Sequence, residues 1–275
     1  MQKQKKGYSY MTPPKYTVAS DFHGNAHALE TILKQYSNTQ IVLLGDFFDS
    51  RDSFEPEKSD NLAMAKILTK LQTNQYDLSI KPIIIRGNHD EFMRKASLGD
   101  DFALQTWLLN GGIRTLKELQ YNRSLHDTEH IRQFLNSHYA QVLNLFDNAL
   151  LSYETDNIIF VHAGLDWDVT DPVNDTDDDT KMWIRDKYYY ETDGVTPHRN
   201  FTNKNIVSGH TPQQFFDHNE TTYTHDIITL HNINDPEGIN RYVIDGGSNS
   251  GASNQHVNIV QFNQQGNLLD IAIMH

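Results

Sequence analysis

Apolar residues along the first third of the chain come in short blocks, each followed by a polar turn and then by helical spacing. The stretches YTVAS (16–20), IVLLGD (41–46) and KPIIIRGNHD (81–90) each contain a run rich in aliphatic and β-branched residues. Such runs without alternation predict strands covered on both faces. Helical spacing follows from His27 to Tyr36, over NLAMAKILTKLQ (61–72), and again from near Glu91. Strand and helix in alternation predict βαβ units. From about Asp101 to Asn148, Leu, Ile, Phe and Trp keep a helical period, broken at Gly111-Gly112 and near Asn122. This predicts two or three helices over one end of a sheet. From Ala149 the texture changes to short strands: NALLSYE, NIIFVHAG, NIVSGHTP, IITLHNI, RYVIDGG, VNIVQFN and LLDIAIM. The expected fold class is therefore α/β (α+β), two packed mixed β-sheets flanked by helices. No repeat or linker divides residues 16–275, which are expected to form a single domain. Residues 1–15 are expected to be a flexible extension.

Composition narrows the chemistry. A chain of 275 residues can bury a core without a covalent staple. It contains no cysteine, which excludes thiolate catalysis, thiolate metal sites and disulfides, and fits a cytoplasmic location. Any metal must be held by His, Asp, Asn, Glu or water, a donor set suited to Mn, Fe, Zn or Mg. The first residues carry lysines but no apolar stretch of signal-peptide type, and no segment is long enough to span a bilayer. A formal net charge of −13 argues against a nucleic-acid duplex as partner. It does not argue against a phosphate substrate, because bound divalent ions can reverse the local field.

Residues able to hold metal recur in one kind of place, directly after an apolar strand. Asp21 and His23 follow YTVAS, Asp46 and Asp49 follow IVLLG, and Asn88 and His89 follow PIIIRG. His162 ends NIIFV, and His210 follows NIVSG. Ligands of open α/β sheets bind at the carboxyl ends of strands, so five ends far apart in sequence can meet at one spot. Taken singly, each residue is an ordinary turn or capping residue. Together they supply what two divalent ions about 3.5–4 Å apart require: a bridging carboxylate, imidazoles and carbonyl oxygens. Asp46 is the natural bridge. Asp21 and His23 complete one ion, both pointing the same way if the chain between them is extended. Asn88, His162 and His210 complete the other.

With these motifs in order, the sequence resembles the calcineurin-like metallophosphoesterases, and within them the phosphoprotein-phosphatase branch. The matching residues are Asp21-Phe22-His23, Gly45-Asp46-Phe47-Phe48-Asp49, Gly87-Asn88-His89-Asp90, His162 in VHAG, and Gly209-His210. The cut of motifs looks most like the small bacterial and phage serine/threonine phosphatases. The resemblance implies hydrolysis of phosphate monoesters, two divalent ions (Mn first among the candidates), and a four-layer sandwich. It implies that His89 is the proton donor to the leaving group, oriented by Asp49, and that two arginines and Asn88 contact the phosphate. Arg185 is one candidate clamp. Arg51 is the other, although it stands one residue later than the branch pattern. Asp90 is expected to act as a supporting carboxylate.

Two further stretches bear on the substrate. DWDVTDPVNDTDDDTK (166–181) is dense in aspartate, lacks the spacing of an EF-hand, and would favour substrates with basic groups if it borders the site. Tyr188, Tyr189 and Tyr190 could stack on a ligand or belong to the core. A phosphoprotein or a small phosphate ester is the expected substrate. A dinucleoside tetraphosphate hydrolase, a nucleotide phosphodiesterase and a non-catalytic scaffold are the alternatives.

Overall fold

The computed structural model describes residues 13–50, 59–194, 196–216, 222–224, 227–232, 235–250 and 255–275. Thus Arg51, and most of the expected N-terminal extension, lie outside the described residues. Within them Lys15 already belongs to the first sheet, its N–H donating to the Phe262 carbonyl at 2.8 Å.

The first sheet has the order β11-β10-β1-β2-β3, with β1 (Tyr16–Ala19), β2 (Gln40–Leu43), β3 (Ile83–Ile84), β10 (Val257–Phe262) and β11 (Leu268–Met274). The second has the order β4-β5-β6-β9-β8-β7, with β4 (Ser152–Glu154), β5 (Ile158–Val161), β6 (Asn205–Ser208), β7 (Thr222–Thr224), β8 (Ile227–Asn232) and β9 (Asp235–Val243). Parallel pairing runs through β1-β2-β3 in one sheet and β5-β6-β9 in the other, with antiparallel strands outside. Both sheets are mixed. Of the three apolar blocks expected to be buried on both faces, β1 is buried throughout and β2 from Ile41 onward, whereas β3 is only partly buried.

Alternate residues of the same strand enter different cores, which fixes the layers. In β5, Ile158 and Phe160 meet Tyr16, Val18 and Val42 of the first sheet, while Ile159 and Val161 face the opposite way, onto Trp167, Tyr188 and Tyr189. The outer face of the first sheet carries α1 (Ala26–Gln35), α2 (Asn61–Gln72), α3 (Asn88–Leu98), α4 (Asp101–Trp107), α5 (Ile113–Glu118), α6 (Thr128–His138) and α7 (Ala140–Asp147). The outer face of the second carries the short helices α8 (Pro172–Asp175) and α10 (Asp186–Tyr189), while α9 (Asp178–Trp183) meets α3 through Trp183 and Phe92. This is the expected α/β sandwich of two mixed sheets between helices.

Three local expectations change. Helix α3 begins at Asn88 rather than near Glu91, because Gly87 caps it and the Asp90 carboxylate accepts the Gly87 N–H at 2.9 Å. The middle segment forms four helices, α4 to α7, and the break at Gly111 is a kink within Leu108–Gly112, where Asn110 and Gly111 leave helical backbone geometry. Tyr188 and Tyr189 are fully buried core residues, so they offer no surface for stacking a ligand.

The inter-sheet core carries a direct prediction. Phe160 is fully buried between the sheets, against Tyr16 and Tyr153. Phe160→Ala is expected to lower unfolding free energy by about 3–5 kcal/mol in urea titrations; a loss under about 1 kcal/mol would contradict this packing.

Candidate metal centre

The carboxyl ends of β1, β2 and β3 in one sheet and of β5 and β6 in the other open onto the same edge of the sandwich. Backbone bonds zip the loops together: Asp21 N–H donates to the Gly45 carbonyl at 3.1 Å, His23 N–H to the Asp46 carbonyl at 2.9 Å, and Gly24 N–H to the Phe47 carbonyl at 2.8 Å. Across the sheets, the Asp21 carboxylate accepts the His210 N–H at 2.9 Å, and His162 Nδ1 meets the Leu44 carbonyl at 2.6 Å.

The backbone is bent hard to achieve this. Asp21, His23, Asp46, Asp49 and His210 all have positive φ, between 42° and 73°. Left-handed conformations are uncommon for residues with a Cβ and persist where surrounding structure imposes them. Asp21 and His23 therefore do not converge through extended alternation, as the sequence suggested. The chain turns instead, and Phe22 is driven into the core to stack on Phe47 at 5.4 Å. Asp90 braces the same region: its carboxylate accepts the N–H groups of Asp46 (2.9 Å), Phe47 (3.1 Å) and Gly87 (2.9 Å). The two loops touch so closely that a Cβ on Gly45, itself at φ 88°, would lie 2.2 Å from the Gly87 nitrogen.

The side chains brought together are those the sequence singled out. Asp46 Oδ2 lies 3.8 Å from His23 Nε2 and 3.5 Å from His162 Nε2. Asp21 Oδ1 lies 4.0 Å from His23 Nε2, and Asn88 Oδ1 lies 3.0 Å from His162 Nε2. His23, Asp46 and His89 form one group with ligand atoms within 4.8 Å of one another, and Asp46, His162 and His210 form a second. Asp46 belongs to both.

Hydrogen bonding fixes what these rings present. His23 Nδ1 faces the carbonyls of Phe48 and Asp49 (2.9 and 3.1 Å), and His162 Nδ1 faces that of Leu44. A carbonyl only accepts, so Nδ1 carries a hydrogen in each ring, and Nε2, which faces Asp46, is the atom each ring can offer to a cation. His210 Nε2 is buried with no hydrogen-bond partner among the described residues. Burial and the nearby His89 pull His23 down to about 4, and burial, with His162 and Arg185, holds His210 well below its usual value. Burial would raise Asp46, but the surrounding imidazoles, His162 and His89 foremost, hold it below the usual carboxylate range. Lone pairs and carboxylates aimed at common points, with an orphaned imidazole nitrogen among them, suit divalent cations with N/O preference. The residues fit that group.

A model of the calcineurin-like phosphoesterase family matches residues 14–243. The chain belongs to that family. Its members are metal-dependent phosphoester hydrolases with a binuclear divalent centre, and the chain is such a hydrolase. A search of curated proteins finds no match. Among solved structures, a metallophosphoesterase from Sphaerobacter thermophilus is similar at 13% identity and a TM-score of 0.45, covering 95% of this chain and 88% of that one.

Around this phosphoesterase centre the structure adds residues the sequence reading left unassigned. Asp245 follows β9 as a sixth strand end and lines the site with Asp21, His210 and Arg185. Burial and the Asp21 charge push its carboxyl well up. The run RYVIDGG carried the same signature of apolar strand then acid, so the signal was there. Asn110, in the kink between α4 and α5, and Trp183 also line the site. Arg185 donates to Thr211 Oγ1 at 3.2 Å and opens into the same space. Among the described residues no ion pair joins it to Asp186 or Glu191.

His89 stands beside this cluster, its ring 5.0 Å from that of His23. Its Nδ1 meets Asp49 Oδ2 at 2.9 Å, and its backbone N–H donates to Asp46 Oδ1 at 2.9 Å. Burial alone would lower its pKa, but Asp46 and the Asp49 hydrogen bond lift it to about 9. A folded pKa above the unfolded value of 6.5 means that this pairing stabilises fully below pH 6.5 and is lost as pH rises through about 9. The stability gap between the native chain and His89→Gln is therefore expected to be widest below pH 6.5 and to narrow toward pH 9. Urea titrations at four or five pH values measure it; a gap independent of pH would refute the ion pair.

Proposed function

We propose that this phosphoesterase hydrolyses phosphate monoesters of serine or threonine in proteins, using two divalent ions, Mn foremost. In this reading Asp21, His23 and Asp46 hold one ion, and Asp46, Asn88, His162 and His210 hold the other. Such a pair supplies a nucleophile from water near neutral pH and charge compensation for the phosphoryl oxygens. Arg185 and the Asn88 amide meet the phosphate from the side on which they line the pocket. As the P–O bond breaks, His89 gives its Nε2 proton to the departing alkoxide. The products are the free hydroxyl and inorganic phosphate, and solvent returns the proton to His89. A pKa raised to about 9 keeps His89 charged for this step at neutral pH. The chain's lack of cysteine fits the cytoplasm, where we place it.

The observation that favours a peptide over an oligophosphate is the groove next to the centre. About 560 Å³ in volume, it shares Asn88 and Trp183 with the site, and its walls include Phe92, Phe102, Asp100, Asp166 and Asp179. Both lysines in its lining are already committed. Lys95 sits 3.6 Å from Glu91 and 3.7 Å from Asp179, and Lys187 sits 3.0 Å from Asp166 and 2.9 Å from Asp168. An aromatic groove whose cations are neutralised suits neutral or basic residues flanking the phosphate and repels a second phosphate. The aspartate-rich stretch thus borders this groove at Asp166 and Asp179. Asp177 instead caps α9 by accepting from Thr180 N–H at 2.9 Å.

Mn-loaded protein is expected to hydrolyse a phosphoserine peptide with flanking basic residues faster than a dinucleoside tetraphosphate or bis-p-nitrophenyl phosphate. Activity on the tetraphosphate alone would overturn the substrate, and activity on none would favour a scaffold. His89→Asn is expected to cost about 10²–10⁴ in kcat on the phosphopeptide and far less on p-nitrophenyl phosphate, whose leaving group needs no proton. Equal losses would remove His89 as the acid. Calorimetric titration of metal-stripped protein with Mn should give two ions per chain. Asp46→Asn should weaken both, because this carboxylate belongs to both groups; loss of one ion alone would exclude Asp46 as the bridge.

A further inference from the structure

Asp49 is fully buried at a left-handed φ of 73°, and its carboxylate is saturated by three donors. Oδ1 accepts from Thr115 Oγ1 at 2.5 Å and from Trp107 Nε1 at 2.9 Å. Oδ2 accepts from the same Trp107 N–H at 2.8 Å and faces His89 Nδ1 at 2.9 Å. Trp107 and Thr115 are themselves fully buried. A carboxylate held only by His89 could rotate about its own bonds. Held by three donors, it has one orientation, and the His89 ring inherits it.

The helical segment that supplies the two extra donors is shaped to do so. Trp107 ends α4, and Thr115 lies in α5, eight positions later. In one straight α-helix their Cα atoms would stand about 12 Å apart along the axis. The turn at Leu108–Gly112 breaks that line, with Asn110 at φ −110° and Gly111 at φ 110°. Gly111 lies flat against Asp49: a Cβ there would approach the Asp49 Cβ to 2.8 Å. Here the turn folds around one carboxylate and brings both donors onto it.

We propose that Trp107 and Thr115 are positioning residues for leaving-group protonation, fixing Asp49 so that His89 Nε2 points at the departing oxygen. The inference rests on the reading of His89 as the acid. It adds that the helical layer, which supplies none of the α4 or α5 residues to the metals, sets the geometry of the proton donor.

The test uses full-length, Mn-loaded protein and the ratio of kcat on a phosphoserine peptide to kcat on p-nitrophenyl phosphate. Trp107→Phe and Thr115→Val keep the shape and remove one donor each. Each is expected to lower that ratio roughly tenfold, a fraction of the full effect of a general acid. Thr115→Ser, which keeps the hydroxyl, restores it. In the His89→Asn background neither substitution lowers the ratio further, because the group they orient is gone. A proportional loss on both substrates, accompanied by a lower melting temperature, would show a packing role only and overturn the proposal. So would an additional fall of the ratio in the His89→Asn background. If His89→Asn itself leaves the ratio unchanged, the acid reading falls first and this proposal with it; if it lowers the ratio while the two clamp variants do not, only the proposal fails.

Discussion

The structure turns on burying several carboxylates at one place, with Arg185 and His89 as the positive side chains beside them. Asp46 is 2% exposed, Asp21 1% and Asp245 3%, all at one edge of the sandwich. Isolated buried charge is costly, and the side-chain atoms of His23 and His162 that face Asp46 are ring nitrogens able to ligate a cation. The cluster is therefore unstable by itself and strongly attractive to divalent cations. Much of the local architecture resists what the charges would otherwise do. Asp90 ties the two loops through three amides, Asp21 ties them to the second sheet through His210, and five residues hold left-handed conformations. Mutual repulsion and backbone strain are sustained because two sheets grip the loops from both sides.

How much of this was legible depends on the kind of signal each residue carries. Asp21, His23, Asp46, Asn88, His162 and His210 stand at the ends of unbroken apolar blocks, and the block pattern is what a doubly covered strand looks like in sequence. Position after a strand then supplied position in space. The fold class followed from the same pattern, since residues of β5 enter two cores alternately yet read as one apolar run. Boundaries were less visible. Three strand residues of PIIIRG reduce to a two-residue β3, since Ile85, while still donating to the Leu43 carbonyl, forms an isolated bridge with Leu150 just before α3 starts at Asn88.

Contacts that depend on tertiary approach left almost no trace. Trp107 belongs to a helical period and reads as core, which it also is; that its N–H meets Asp49 depends on a turn whose sequence sign is merely Gly111-Gly112. Asp245 could have been found, since its strand has the common signature, but it matches none of the motifs that drew the eye. The direction of His23 was misread for a physical reason: alternation along a strand ceases where the strand does, and positive φ at Asp21 and His23 replaces it.

These two kinds of residue divide the chemistry. Strand ends are rigid and spaced by the sheet, so they suit ligands whose separation must be held to fractions of an ångström. Proton transfer to a leaving group makes a different demand, namely the direction of one N–H bond relative to an atom that is moving away. On the proposed reading, a ring at the start of a helix, pinned through its far nitrogen to a saturated carboxylate, would meet that demand. The groove along α3, α4 and α9 is attached to this second half of the site. On the proposed reading, groups flanking the phosphate would contact the same helices that hold Asp49 and His89, so that binding along the groove and protonation of the leaving group would share one support.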